Sequence, residues 1–109
     1  MTDAVIRDAE RFSVGYVSPN GFVYDVIRNV LGYVNHQGVI RNAHLRTVGY
    51  SDEQGQIFDI NWLPLGSVDQ QGVIKNVQGH IAGYVEGGKE MMAYYAQAAA
   101  FFVLTRLTP

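Results

Sequence analysis

Apolar and polar positions fall into short alternating runs along most of this chain. Leu31-Gly32-Tyr33-Val34 is followed by Asn35-His36-Gln37-Gly38, then by Val39-Ile40-Arg41-Asn42. The flanking segments are β-branched and aromatic, the residue types that fit a pleated strand. The polar middle opens on Ser, Asn or Asp and closes on Gly: Ser18 with Gly21, Asn35 with Gly38, Asp52 with Gly55, Asp69 with Gly72. This is type I turn chemistry, in which the first side chain caps the turn and the glycine takes the positive φ of the following bulge. Each unit therefore reads as a β-hairpin. Pro19, second in its turn, supplies the φ near −65° that this position needs.

The unit repeats every 17 residues. Gly15, Gly32, Gly49, Gly66 and Gly83 mark it, each after an apolar residue, and four are followed by Tyr16, Tyr33, Tyr50 and Tyr84. Asp25, Asn42, Asp59 and Asn76 form a further marker in the same register. A glycine inside a strand signals a bulge, a bend or close backbone approach. Its recurrence in five units points to close approach near a common axis, with the neighbouring tyrosine expected to cover the gap. The segments 26–30, 43–47, 60–64 and 77–81 share little and read as plain connections. Trp62, the only tryptophan, lies in one of them and is read as covering an end of the core.

The chain opens and closes on half units. Val5-Ile6-Arg7-Asp8 matches Val39-Ile40-Arg41-Asn42, and Ala82-Gly83-Tyr84-Val85-Glu86 is a first half that Gly87-Gly88 interrupts. Joined, the halves make one more hairpin. The expected fold is mainly β: a closed ring of five short hairpins over residues 1–86, with a strand at 5–8 closing on 82–86. Closure removes the free ends that a repeat array otherwise exposes. Residues 87–109 are then a hinge and one C-terminal apolar α-helix. Ala and Met favour helix over 89–107, Arg106 in the last turn suits the dipole, and Pro109 follows.

Over residues 91–104 only Gln97 is clearly polar. A helix apolar on every face must be buried or in lipid. A membrane span needs about 20 apolar residues, and shorter runs are more often buried in protein. A small ring is not expected to cover every face, and Ala96, Ala98, Ala99 and Ala100 would let a second helix approach closely. We therefore expect the helix to pack on the ring and to self-associate, with Met91, Tyr94, Tyr95, Ala98, Phe101, Phe102 and Leu104 as the contact residues. The alternative contact for the same residues is a membrane surface.

The units Gly-Tyr-Val-x-x-x-Gly-x-Val/Ile-x-Asp/Asn resemble the β-flower domains of bacterial proteins, in which short hairpins form petals about a pseudo-rotation axis. The resemblance covers residues 5–86 and leaves out the C-terminal helix. It implies a fold and carries no activity with it. Hairpin repeats also occur in choline-binding modules, which need paired aromatics around the cation. The matching positions here are Tyr24, Arg41, Phe58 and Lys75, of which only half are aromatic.

Composition narrows the function further. The chain is 48% hydrophobic and 17% charged, which is globular rather than disordered. A formal charge of −2 argues against nucleic acid, whose binders carry a basic face. The absence of cysteine removes disulfides and thiolate metal sites. His36, His44 and His80 occupy different repeat positions, so the pseudo-symmetry does not gather them into a metal site. The series Asp8, Asp25, Asn42, Asp59 and Asn76 would form a ring of oxygens, but each residue is better read as capping its own backbone. No nucleophile with its base, no paired carboxylates and no phosphate loop stand out. The expectation is a structural or protein-interaction module: non-enzymatic, without cofactor, homo-oligomeric or bound to another protein. Its expected location is cytoplasmic, with membrane association as the alternative. A domain binding a small ligand or carbohydrate on the tyrosine-lined face is the other alternative.

Overall fold

The computed structural model describes residues 3–87 and 93–105. The hairpin pattern becomes ten strands: β1 (Ala4–Asp8), β2 (Ser13–Val17), β3 (Phe22–Asp25), β4 (Val30–Val34), β5 (Val39–Asn42), β6 (Thr47–Ser51), β7 (Gln56–Asp59), β8 (Pro64–Val68), β9 (Val73–Asn76) and β10 (Ile81–Glu86). Each strand pairs antiparallel with its sequence neighbours. β1 pairs with β10, setting Ile6 opposite Val85 and Arg7 opposite Tyr84, so the sheet is a closed barrel. It is followed by one short helix, α1 (Ala93–Leu104).

In an up-and-down ring, successive turns lie at opposite ends. One end carries the four glycine turns. Gly21, Gly38, Gly55 and Gly72 have φ of 89°, 83°, 84° and 85°, as a type I turn with a following bulge requires. Each glycine carbonyl also accepts from the next petal, for example from Ser51 N at 2.8 Å and Val85 N at 2.8 Å. The turns thereby bind one petal to the next.

The opposite end holds five further turns, and here the plain-connection reading is corrected. They have the same architecture as the glycine turns. Asn42 N donates to Arg46 O at 2.9 Å and Leu45 N donates to Asn42 O at 3.0 Å, the pattern that Asn35, Gly38 and Val39 show in a glycine turn. The Asx side chain caps each of the five. One Oδ1 accepts from two backbone N–H groups, as in Asp59 from Asn61 and Leu63 at 2.8 and 3.0 Å, and Asn76 from Gln78 and His80 at 3.0 Å each. The fourth turn position again has positive φ, but only Gly79 is glycine. Arg11, Arg28, Leu45 and Trp62 fill it elsewhere, with φ of 71°, 70°, 68° and 64°.

Inward-facing side chains build the core. Ile6, Val23, Ile40, Ile57 and Ile74 are each fully buried, and Val17, Val34, Val68 and Val85 lie beside them with Ser51 at the fifth place. The helix completes this core: Ala99, Ala100, Phe101 and Phe102 belong to the same cluster.

Candidate functional site

The strand glycines explain where the helix sits. They face inward, and an added Cβ would collide with the carbonyl of the paired strand at each one. At four of the five it would also meet the helix. Phe101 Cε1 would lie 2.5 Å from a Cβ at Gly49, and Phe102 Cζ 2.6 Å from one at Gly32. Val103 Cγ1 would lie 3.1 Å away at Gly83, and Leu104 Cδ1 2.9 Å away at Gly66. The gaps are therefore filled by the helix and not by the neighbouring tyrosines, which stand half-buried on the outer wall.

Four consecutive helix residues thus reach four different petals. In ring order the steps are one petal, two petals and one petal. Four petals in three residues, at about 72° per petal, is a mean step of about 96°, close to the helical step of about 100°. The helix axis therefore runs along the pseudo-five-fold axis. At its other end Gln97 Nε2 donates to Asp52 O, in a glycine turn, at 3.4 Å. The helix passes from the glycine-turn end to the Asx-turn end inside the ring. Gln97, Ala99, Ala100, Phe101 and Phe102 point in different directions and are all buried. Residues buried in every direction around the axis fit a slot with walls on every side.

This alters the expected contact residues. Phe101 and Phe102 are 5% and 3% exposed within the single chain, so they meet its own petals and present no face to a second copy. Leu104 and Val103 are partly buried and border a cleft of about 610 Å³ at the Asx-turn end, with Asp8, Ala9, Glu10, Val14, Asn76 and Ala82. The cleft opens beside the Gly15 petal, the one that residues 101–104 do not reach. Of the helix expected over 89–107, the described residues show Ala93–Leu104. Met91 and Arg106 lie outside the described residues, and Tyr94, Tyr95 and Ala98 are described as helical backbone only.

The outer wall carries a second constellation that the sequence reading missed. In three of the Asx turns the positive-φ residue, Arg11, Arg28 or Trp62, folds back over an aromatic ring of the wall. Trp62 stacks on Tyr50, 4.0 Å between centroids and 3° from parallel, with Phe58 at 5.6 Å. Trp62 is 58% exposed and covers this wall, not an end of the core. The Arg28 guanidinium lies over Tyr16 at 4.4 Å and Tyr24 at 5.8 Å, and that of Arg11 over Tyr84 at 4.1 Å. Arg28 also donates to Asp3 Oδ2 at 2.7 Å, which raises its pKa above the ordinary arginine value. In the β8–β9 petal Ser67 replaces the tyrosine, and the residue that would cover it is Gly79. A non-glycine residue at positive φ costs about 1–2 kcal/mol. Ring stacking and cation–π contact return on the order of 0.5–1.5 kcal/mol. At Arg11, Arg28 and Trp62 the ring contact offsets the strain, and in the petal that lacks the tyrosine the strained position is glycine. A choline-type cage needs open space between aromatics, and at Tyr50, Phe58 and Trp62 the stacking closes it.

Large apolar side chains left exposed are distributed unevenly. Among the described residues they are Phe12, Val26, Ile27, Val30, Leu45, Ile60, Trp62, Leu63, Val77 and Ile81. All ten lie in the Asx turns or at the first residue of the strand that follows. The glycine turns, Ser-Pro-Asn-Gly, Asn-His-Gln-Gly, Asp-Glu-Gln-Gly and Asp-Gln-Gln-Gly, contribute none. His44 and His80 lie at the apolar end and His36 at the polar one. Among the described residues no three His, Cys, Asp or Glu side chains come together as metal ligands, and no helix is long and apolar enough to cross a membrane.

A closed ring of five hairpins about an axial helix defines a pseudo-symmetric β-flower. The chain belongs to the family of five-fold β-flower proteins, whose family model matches residues 1–105. That match takes in the helix, which the resemblance drawn from the repeat units left out. No curated protein and no solved structure matches the chain.

Proposed function

We propose that this chain is a non-enzymatic structural module that works by self-association. The observation that supports it is the amount of large apolar surface on so small a ring. Among the described residues ten such side chains are exposed, although the core already encloses Phe101 and Phe102, which were expected to supply the contact. Monomeric proteins rarely leave contiguous apolar patches larger than a few hundred Å² in water. Contact between copies then falls to the ring surface. The side chains described offer a rigid frame and no arrangement that activates a nucleophile or gathers a metal. Native mass spectrometry or light scattering at micromolar concentration without detergent tests the reading. The expected mass is a multiple of 12.1 kDa. A well-behaved monomer under those conditions would overturn it.

A further inference from the structure

We infer that the Asx-turn end of the ring is the face on which a second copy docks, end to end about a two-fold axis. The inference rests on the self-association reading and names its surface. Topology gathers all five Asx turns at one end, and the exposed large apolar residues among the described residues belong to these turns or the strand starts beside them, with the Trp62 ring alone turned onto the wall. Overall extents of 31 × 29 × 25 Å make an end on the order of 600–700 Å², close to the roughly 800 Å² that each partner buries in a stable interface.

Charge selects the occupant. The five turns carry Arg11, Arg28 and Arg46 against Asp8, Glu10, Asp25 and Asp59. Two of the three cations are drawn back along the wall, Arg28 to Asp3 at 2.7 Å and Arg11 to Glu86 at 3.6 Å. An anionic bilayer or a nucleic acid calls for a basic surface, and this end is not one. Head-to-tail stacking fails for another reason. It would set apolar turns against glycine turns that carry Asp52, Glu53 and Asp69 without a lysine or arginine. A second apolar end is the matching surface. It also supplies shape: Ile60 and Leu63, 46% and 60% exposed, stand at the β7–β8 turn, while the cleft bordered by Val103 and Leu104 opens between the β1–β2 and β9–β10 turns. A two-fold axis in the plane of the end sets the projection of each copy against the cleft of the other, the reciprocal contact of an isologous dimer.

The test uses the full chain. Ile27→Lys with Leu63→Lys places two charges on side chains that are 74% and 60% exposed, so folding is not disturbed. The matched control, Gln37→Lys with Gln54→Lys, places two charges at the glycine-turn end. Analytical ultracentrifugation should show the first variant as a folded 12.1 kDa monomer and the control at the wild-type mass. As an independent readout, dilution of the wild type should speed hydrogen exchange in residues 25–30 and 59–64 and leave residues 35–38 unchanged. A folded Ile27→Lys, Leu63→Lys variant that keeps the wild-type mass, or dilution-sensitive exchange confined to residues 35–38, would overturn the docking face while self-association stands. A wild-type monomer at every concentration would remove both. Wild type that is monomeric and sediments with phosphatidylcholine–phosphatidylserine vesicles would replace the second copy with a lipid surface.

Discussion

Replacing both phenylalanines of the axial helix, Phe101→Ala with Phe102→Ala, should abolish the cooperative unfolding transition at room temperature. Each ring is buried, one against Gly49 and the other against Gly32, and the two meet edge to face at 5.1 Å. Truncating a buried phenylalanine to alanine costs about 3–5 kcal/mol, the lost transfer energy plus the cavity. Two such losses come to about 6–10 kcal/mol before coupling, against a total stability of about 5–15 kcal/mol for a domain. The petals cannot collapse into the space, because hydrogen bonds hold the ring at its circumference. Circular dichroism across a urea titration reads the outcome. A variant that keeps wild-type strand signal and a sigmoidal transition with only a slightly lower midpoint would show that the helix is dispensable to the core.

Gly49→Val should be severely destabilising, costing about 3 kcal/mol or more from overpacking. A Cβ there would come within 2.5 Å of Phe101 Cε1 and 2.6 Å of Phe58 O, and the second of these is backbone and cannot swing away. Gly79→Ala provides the contrast. A Cβ at Gly79 meets nothing within 4 Å, so only its φ of 84° opposes the change, at about 1 kcal/mol. Urea unfolding of the two variants separates lost space from lost conformational freedom. Equal destabilisation would mean that the strand glycines serve backbone conformation and not the approach of the helix.

The ring was legible because its signals are local and repeated. Turn glycines, β-branched flanks and the two half units determined the hairpins and their closure without any knowledge of long-range packing. The Asx turns were less legible for a definite reason. Their fourth position carries Arg11, Arg28, Leu45 or Trp62 where turn chemistry leads one to look for glycine, and for Arg11, Arg28 and Trp62 the compensating contact comes from Tyr84, Tyr16 and Tyr50 on other strands. Only the Asx residue itself gave the turn away. The helix was expected to pack on the ring and on a second copy as well, and Ala99, Ala100, Phe101 and Phe102 are buried within the ring itself. Nothing in the periodicity of residues 91–104 says whether an all-round apolar helix lies against a surface or inside a ring. The clue was the recurrence of glycine on the inward side of five strands, which is room made for something. Polar register marks were present as well: Gln97 in the helix and Ser51 among the valines both belong to the β6–β7 petal. A ring with five similar slots gives a helix five rotational choices, and a polar contact at one petal distinguishes them.

Native-state hydrogen exchange on the intact protein tests most directly whether the helix is the ring's core. The amides of Ala99, Ala100, Phe101, Phe102 and Val103 should open only with the amides of Ile40, Ile57 and Ile74, at the free energy of global unfolding. Helix amides that exchange through a separate, lower-energy opening while the strands stay protected would contradict the account, since the helix would then be an appendage that the ring can release.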